Sequence, residues 1–278
     1  MKRNLILLVV ALLIFSGCSS SEHQAGKRYI VTSPEIAEII YLLQGVKNIV
    51  GVTIECDYPA KLNKIEKVGN FGKVDYEKII SLDPSIVFTS GLEQELLTSE
   101  LEKLQIPTAK FYPNSIDDMI LSIREIGKLI GVEERANFVA DSLMIEIEKI
   151  SQNNSDNSPQ VYVEIYNNPI MSVSDKSFVG EVIQISGGDN VFAELPRDYS
   201  RVKAEDVINA DPEIIILTCP PEFTAESIKI RKGWEVISAV KNDRIYTALD
   251  IDPDLIIRAT PRIVEGMKQL QKIINDEK

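Results

Sequence analysis

The 278-residue chain contains one histidine, His23, in a polar stretch near its start. A folded body without histidine excludes Ser–His–Asp and Cys–His catalysis. It also excludes the His-rich ligand set expected of a zinc or manganese scavenger. Neither G-x-x-x-x-G-K-[ST] nor G-x-G-x-x-G occurs, so no phosphate-cradling loop is present. The glycine-rich "SGGDN" lies at a helix end and reads as a cap and turn. Carboxylates are plentiful, but no spacing singles out an acid–base pair, so no enzyme is expected. Cationic excess is missing as well. The formal charge of −12 opposes a nucleic-acid partner. Cysteines are too few for a disulfide scaffold: beyond Cys18 only Cys56 and Cys219 remain, one in each half, and two small partly buried thiols are expected. After the first residues, no run is long and apolar enough to cross a bilayer.

The one long apolar run has its own meaning. Lys2 and Arg3 precede "LILLVVALLIF", a positive segment and an apolar core of signal-peptide length. Ser16 and Gly17 directly before Cys18 resemble a bacterial lipobox, with Phe15 where Leu is commoner. Cleavage before Cys18 and lipidation of its sulfur are expected. The lipid would hold the protein to a membrane, each buried methylene contributing about 0.8 kcal/mol. "SSSEHQAGK" reads as a tether. The expected division is a signal peptide over residues 1–17, a lipidated tether over 18–27, an N-terminal α/β lobe over 28–132, an inter-lobe helix over 133–152 and a C-terminal α/β lobe over 153–278. Removing Lys2 and Arg3 takes the charge from −12 to −14.

Strand and helix alternate in both halves, which predicts parallel sheets with helices on their faces. "RYIVT" (28–32) is strand-like. "SPEIAEIIYLL" (33–43) reads as a helix with Ser33 at the N-cap and Pro34 at N1. Strands are predicted over 48–54, 85–89 and 108–112, and helices over 75–82 and 93–104. Residues 133–152 contain neither Gly nor Pro and place Ala136, Val139, Ala140, Leu143, Ile147 and Ile150 at helical spacing. Such a helix is about 30 Å long. The alternation then restarts, with strands at 160–165, 213–218 and 244–248 and helices at 177–186, 204–210 and from Pro261 onward. Gly187 suits a C′ position. Trp234, the sole tryptophan, precedes an apolar helix and reads as core.

One unit is built twice. "VDYEKIISLDPSIVF" (74–88) and "VKAEDVINADPEIII" (202–216) align without a gap, 128 residues apart, sharing Val, Glu, Ile, Asp, Pro and Ile. Glu77 and Glu205 each begin a short helix, where a carboxylate is favoured by the helix dipole. Capping alone would account for both. The functional alternative is a pair of anionic knobs for a partner with two symmetric cationic sockets. Phe71 and Tyr199 stand six residues before these glutamates, one aromatic per lobe. They are read either as core plugs or as two rings facing across a gap. Open α/β lobes bind ligands where strands end. The loops there are "CDYP" with Asp57 and Tyr58, "NPIMS" with Asn168 and Met171 just after Tyr166, and "IDPDLIIR" with Asp254 and Arg258.

These residues together resemble the helical-backbone (class III) substrate-binding proteins of ABC importers, and within them the cobalamin-binding proteins. The resemblance covers nearly all of the chain after Cys18. It is carried by "GVTIECDYP", "VGNFGKVDYEKIISLDPSIV", "SGGDNVF", "VKAEDVINADPEI", "GWEVISAVKNDRIY" and "DLIIRATPRIVEGMKQL". It implies two similar α/β lobes joined by a rigid helix, with a ligand between them. It implies a dimeric permease with its ATPase as partner, docked through Glu77 and Glu205. It also implies ligand contacts at Phe71, Tyr199, Asp254 and Arg258. Two positions depart from the pattern. Glu55 stands where a contacting Tyr is expected, and Ser90 where a second Trp is expected, so the aromatic cradle is thinner. Tyr58 is the neighbouring candidate for the lost ring. The expected protein is an extracytoplasmic monomer carrying a corrinoid, with no cofactor or metal of its own. A haem or iron–siderophore carrier of the same fold, a carboxylate-pair hydrolase and a surface adhesion module are the alternatives.

Overall fold

The computed structural model describes residues 26–91, 94–154, 157–218 and 223–275. Cys18, His23, Cys219 and the predicted leader lie outside them. The first half runs β1 (Tyr29–Val31), α1 (Pro34–Leu42), β2 (Ile49–Val52), β3 (Gly69–Asn70), β4 (Lys73–Val74), α2 (Tyr76–Ser81), β5 (Ile86–Thr89), α3 (Glu95–Lys103) and β6 (Thr108–Lys110). Helices α4 (Ile116–Ile130) and α5 (Glu133–Gln152) follow. The second half runs β7 (Gln160–Glu164), β8 (Tyr166–Asn167), β9 (Ile170–Val173), α6 (Phe178–Ile185), β10 (Asp189–Asn190), β11 (Tyr199–Arg201), α7 (Ala204–Ala210), β12 (Ile214–Leu217), α8 (Ala225–Lys229), α9 (Ser238–Lys241), β13 (Ile245–Tyr246), α10 (Asp254–Ile257) and α11 (Ile263–Ile274).

The two halves share a topology. One parallel sheet is ordered β2-β1-β5-β6 and the other β10-β7-β12-β13. Ranked by chain order, each reads second, first, third, fourth. The repeated sequence unit is the helix and third strand of each sheet, α2–β5 and α7–β12. Its Asp-Pro break has the same geometry twice: Asp83 and Asp211 adopt φ of 46° and 43°. Asp tolerates this left-handed turn because its short side chain bonds locally.

Alternation along the strands divides the apolar side chains between two faces. Tyr29, Val31 and Phe88 face inward from the first sheet, and Val161, Val163, Ile214 and Ile216 from the second, into one core continuous through both halves. Ile30 and Val87 face outward with Ile79 of α2. Tyr162 and Ile215 face outward with Val207 of α7. Ile79 and Val207 are the buried residues of their short helices. Each contributes roughly 1.5–3 kcal/mol by burial. Trp234 is fully buried in the outer core of the second half, as its setting predicted.

Helix α5 has the predicted bounds. Helix α4, which no prediction covered, lies against it. Its signals are present: the Ser115 hydroxyl accepts the Asp118 N–H, and Gly131 ends it at φ 80°. A Cβ on Gly127 would sit 2.1 Å from that of Ala136, so glycine permits the close crossing of α4 and α5. One cap differs in detail from expectation. Ser33 is the N-cap of α1, but its hydroxyl bonds the Glu35 carboxylate and no backbone N–H of the helix.

Candidate functional site

The strands of both sheets end toward a hollow between the halves. The first half supplies Ser33 after β1, Ser90 after β5, and Phe111 to Asn114 after β6. The second half supplies Phe178, Tyr199, Ile257 and Ala259. In open parallel sheets ligands meet the protein chiefly at the carboxyl ends of the strands. Of the residues predicted to touch a ligand, Ser90 and Tyr199 line this hollow.

Tyr112, which no prediction named, is 40% exposed at the hollow. A Cβ on Gly91 would lie 2.3 Å from its ring, so glycine makes room for the aromatic. A glycine two residues past a strand end, facing a "FYP" loop, is the only sequence signal for this, and it is weak.

A three-stranded antiparallel sheet, β11-β9-β8, extends the second wall. Tyr166 pairs with Met171, Met171 with Arg201, and Val173 with Tyr199. Directly paired residues point to the same side, as do residues two apart. Tyr166, Met171, Tyr199 and Arg201 therefore share one face. Tyr166 and Tyr199 are 50% and 36% exposed there. Asn168 sits in the turn between β8 and β9.

Charged residues knit the halves together beside the hollow. Arg258 forms an ion pair with Asp254 at 2.9 Å, donates to Asp57 at 3.4 Å and lies 3.7 Å from Glu38. Burial pushes the Asp254 carboxyl above its ordinary pKa, against the pull of Arg258 and with the repulsion of Asp252 and Asp57. Arg262 forms a two-pronged pair with the buried Glu38 at 2.7 and 2.8 Å. Its guanidinium also lies 3.8 Å from the centre of the Tyr58 ring. Asp57, Tyr58, Asp254 and Arg258 are thus brought into one cluster across the halves.

Phe71 does not line the hollow, but Gln94 links its backbone to Ser90, which does. Its N–H donates to Glu55 Oε2 at 2.9 Å, and its carbonyl accepts from Gln94 Nε2 at 3.2 Å. Gln94 also accepts the Ser90 N–H at 2.8 Å.

Glu77 and Glu205 occupy the first turns of α2 and α7, and both are exposed. Neighbours make the capping bonds: Asp75 accepts the Lys78 N–H at 3.0 Å, and Asp206 accepts the Lys203 N–H at 3.1 Å. Capping therefore does not require either glutamate. Cys56 is a buried free thiol whose pKa burial pushes up to about 11, which makes it inert. Among the described residues no helix is long and apolar enough to cross a membrane, and no acidic, Cys or His cluster could hold a metal.

Two like halves with a hollow between their strand ends are built to hold a solute. A family model for periplasmic binding proteins matches residues 30–252, and the chain belongs to that family. Its architecture is the class III, helical-backbone form. The uncharacterized ABC transporter substrate-binding lipoprotein YvrC of Bacillus subtilis (strain 168) is 28% identical over 257 residues, covering 89% of this chain and 80% of that protein. A vitamin B12-binding protein of Photorhabdus laumondii is 25% identical over 268 residues, covering 95% and 94%. Among solved structures, a possible iron-binding periplasmic solute-binding protein from Staphylococcus epidermidis superposes with a TM-score of 0.79 at 26% identity, covering 89% of this chain and 98% of that one. The periplasmic haem-binding protein RhuT from Roseiflexus superposes at 0.80 with 19% identity, covering 90% and 98%, a likeness of fold alone. Members of this family bind solutes outside the cytoplasm, working with a permease and an ATPase, and are not enzymes. This chain is a solute-binding component of the same kind.

Proposed function

We propose that the protein captures a corrinoid, cobalamin or a close relative, and hands it to an ABC permease dimer whose ATPase supplies the energy. The observation that carries this reading is the charge of the hollow. Among the described residues its lining holds one carboxylate, Glu35, and no Lys or Arg. The nearest arginine in the predicted set, Arg258, already faces three carboxylates. A corrinoid is a flat macrocycle edged with uncharged amides, which hydroxyls, tyrosines and an asparagine can satisfy. Haem propionates and ferric catecholate or carboxylate chelates bring anionic charge that such a lining disfavours. Similarity to vitamin B12-binding proteins over 95% of the chain points the same way.

In this reading Asp57, Tyr58, Phe71, Ser90, Tyr166, Asn168, Met171, Tyr199, Asp254 and Arg258 contact the ligand. Glu77 and Glu205 dock onto the permease. Cys18 carries the lipid anchor after removal of residues 1–17, and the protein works as a monomer with lobes over 28–132 and 153–278. A second reading rests on Arg201, which stands exposed on the same sheet face as Tyr199 and would meet an anionic ligand at the rim. Titration calorimetry against cyanocobalamin, cobinamide, haemin and a ferric hydroxamate siderophore separates the two. Corrinoid binding that survives Arg201→Ala is expected. Haemin binding with a Soret shift, no corrinoid binding, and loss of both on Arg201→Ala would replace the first reading with the second.

A further inference from the structure

Glu55 is one of the two positions at which this chain departs from the aromatic pattern of the proteins it resembles, and the structure shows what the carboxylate does. It accepts the Phe71 N–H at 2.9 Å from the loop after β2. On the other side of the same residue, the Phe71 carbonyl accepts from Gln94 at 3.2 Å. Gln94 is 2% exposed, and every hydrogen-bonding valence of its amide is used. Its Oε1 accepts the Thr32 hydroxyl at 2.6 Å and the Ser90 N–H at 2.8 Å, and its Nε2 donates to the Thr32 carbonyl at 3.0 Å as well as to Phe71. One buried amide therefore joins the end of β1, the end of β5 and the Phe71 turn. Two of these three segments line the hollow directly through Ser33 and Ser90.

We propose that Gln94 and Glu55 are positioning residues that fix the Phe71 ring for ligand binding, gripping the peptide groups on either side of its Cα. The proposal rests on the reading of Phe71 as a ligand contact. A turn held only by its own backbone would let the ring choose among rotamers, and binding would then have to order it. Fixing the peptide beforehand removes that cost. A purely structural part for the same two residues would lower stability without favouring Phe71 over any other contact.

The experiment is a double-mutant cycle on cyanocobalamin affinity, paired with amide hydrogen exchange at Phe71 in the ligand-free protein. Phe71→Ala is expected to weaken binding about tenfold, as for a contact residue. Gln94→Leu and Glu55→Ala are each expected to weaken it roughly 5- to 10-fold in the native background and less than about twofold on top of Phe71→Ala. Glu55→Gln, which keeps an acceptor oxygen, should restore binding. Exchange at the Phe71 amide should accelerate in Glu55→Ala and not in Glu55→Gln, with no ligand present. If Phe71→Ala leaves affinity unchanged, the ring is no contact and both the reading and this inference fall. If Phe71→Ala weakens binding but the other losses simply add to it, or are absent, the contact stands and the positioning role is overturned. Should Gln94→Leu fail to fold, the Glu55 pair of variants decides alone.

Discussion

The two lobes close the same joint with different chemistry. In each, the carboxyl end of the sheet's first strand must be tied to the segment that follows the third strand. In the N-terminal lobe that tie is neutral: Gln94, just before α3, bonds Thr32 at the end of β1. In the C-terminal lobe it is ionic. Arg231, just after α8, grips the fully buried Glu164 of β7 at 2.6 and 2.7 Å, with the Tyr162 hydroxyl adding a bond at 2.9 Å and the Trp234 ring lying 4.5 Å from the guanidinium carbon. Topology repeats because it follows from strand order and hydrophobic alternation. The tie is free to differ because any fully satisfied polar group fits a buried joint. The neutral tie sits beside the ligand hollow and adds no charge to it.

The largest expected effect tests where the lobes are equal. Glu77→Ala with Glu205→Ala should abolish uptake in a reconstituted transporter while leaving ligand affinity unchanged, each single change giving a partial loss. Full transport by the double variant would remove the twin docking knobs from the comparison. Next comes the tie itself. Arg231→Ala removes the two-pronged ion pair from a buried carboxylate and should cost about 3–5 kcal/mol in denaturant unfolding. Gln94→Leu leaves neutral groups unpaired and should cost about 1–3 kcal/mol. Equal losses would erase the distinction between ionic and neutral ties.

Smaller effects belong to the repeated Asp-Pro turn. Asp83→Ala should cost about 1–2 kcal/mol, because alanine resists the left-handed backbone. Asp211→Ala should cost more, since Asp211 also accepts the Ser238 N–H at 2.7 Å and its hydroxyl at 3.0 Å. Those bonds hold the Asp211 carboxyl below its usual pKa. A depressed folded pKa gives stability that is present at neutral pH and lost as pH falls through that value. Acid titration of stability should therefore be shallower in Asp211→Asn than in the native chain.

The smallest expected effect concerns the seam between the lobes. Glu181 of α6 accepts the Ile116 N–H of α4 at 2.7 Å, and burial raises its pKa. A raised carboxyl pKa makes the folded state bind protons more tightly, so its charged form costs stability as pH rises through that value. Glu181→Gln keeps an acceptor and should raise the melting temperature slightly at pH 7, with the gain vanishing in acid. A loss at pH 7 would mean that the charge itself holds the seam.

Local features were readable and long-range ones were not. The Asp-Pro turns, the Ser33 and Pro34 start of α1, the uninterrupted α5 and the buried Trp234 are set by near neighbours. The face shared by Tyr166, Met171 and Tyr199 depends on the register of three strands, and a one-residue slip would scatter it. Tyr112 meets Gly91 across 21 positions, and Arg262 reaches Glu38 across 224. Nothing in the stretch around either partner encodes such a meeting. Helix α4 is local as well. Its cap at Ser115, its stop at Gly131 and its apolar stripe of Ile116, Met119, Ile120 and Ile123 are legible from near neighbours alone.

The sequence by itself determined the duplicated helix–strand unit, the paired α/β halves and the long connecting helix, because periodicity, capping and turn chemistry act within a few residues. Only the tertiary structure decided which side chains share the hollow, that Arg258 beside it is already paired with carboxylates, and that Glu55 and Gln94 hold the backbone of Phe71 between them. Those outcomes depend on distances between residues far apart in the chain, which packing of the whole core sets and no local stretch specifies.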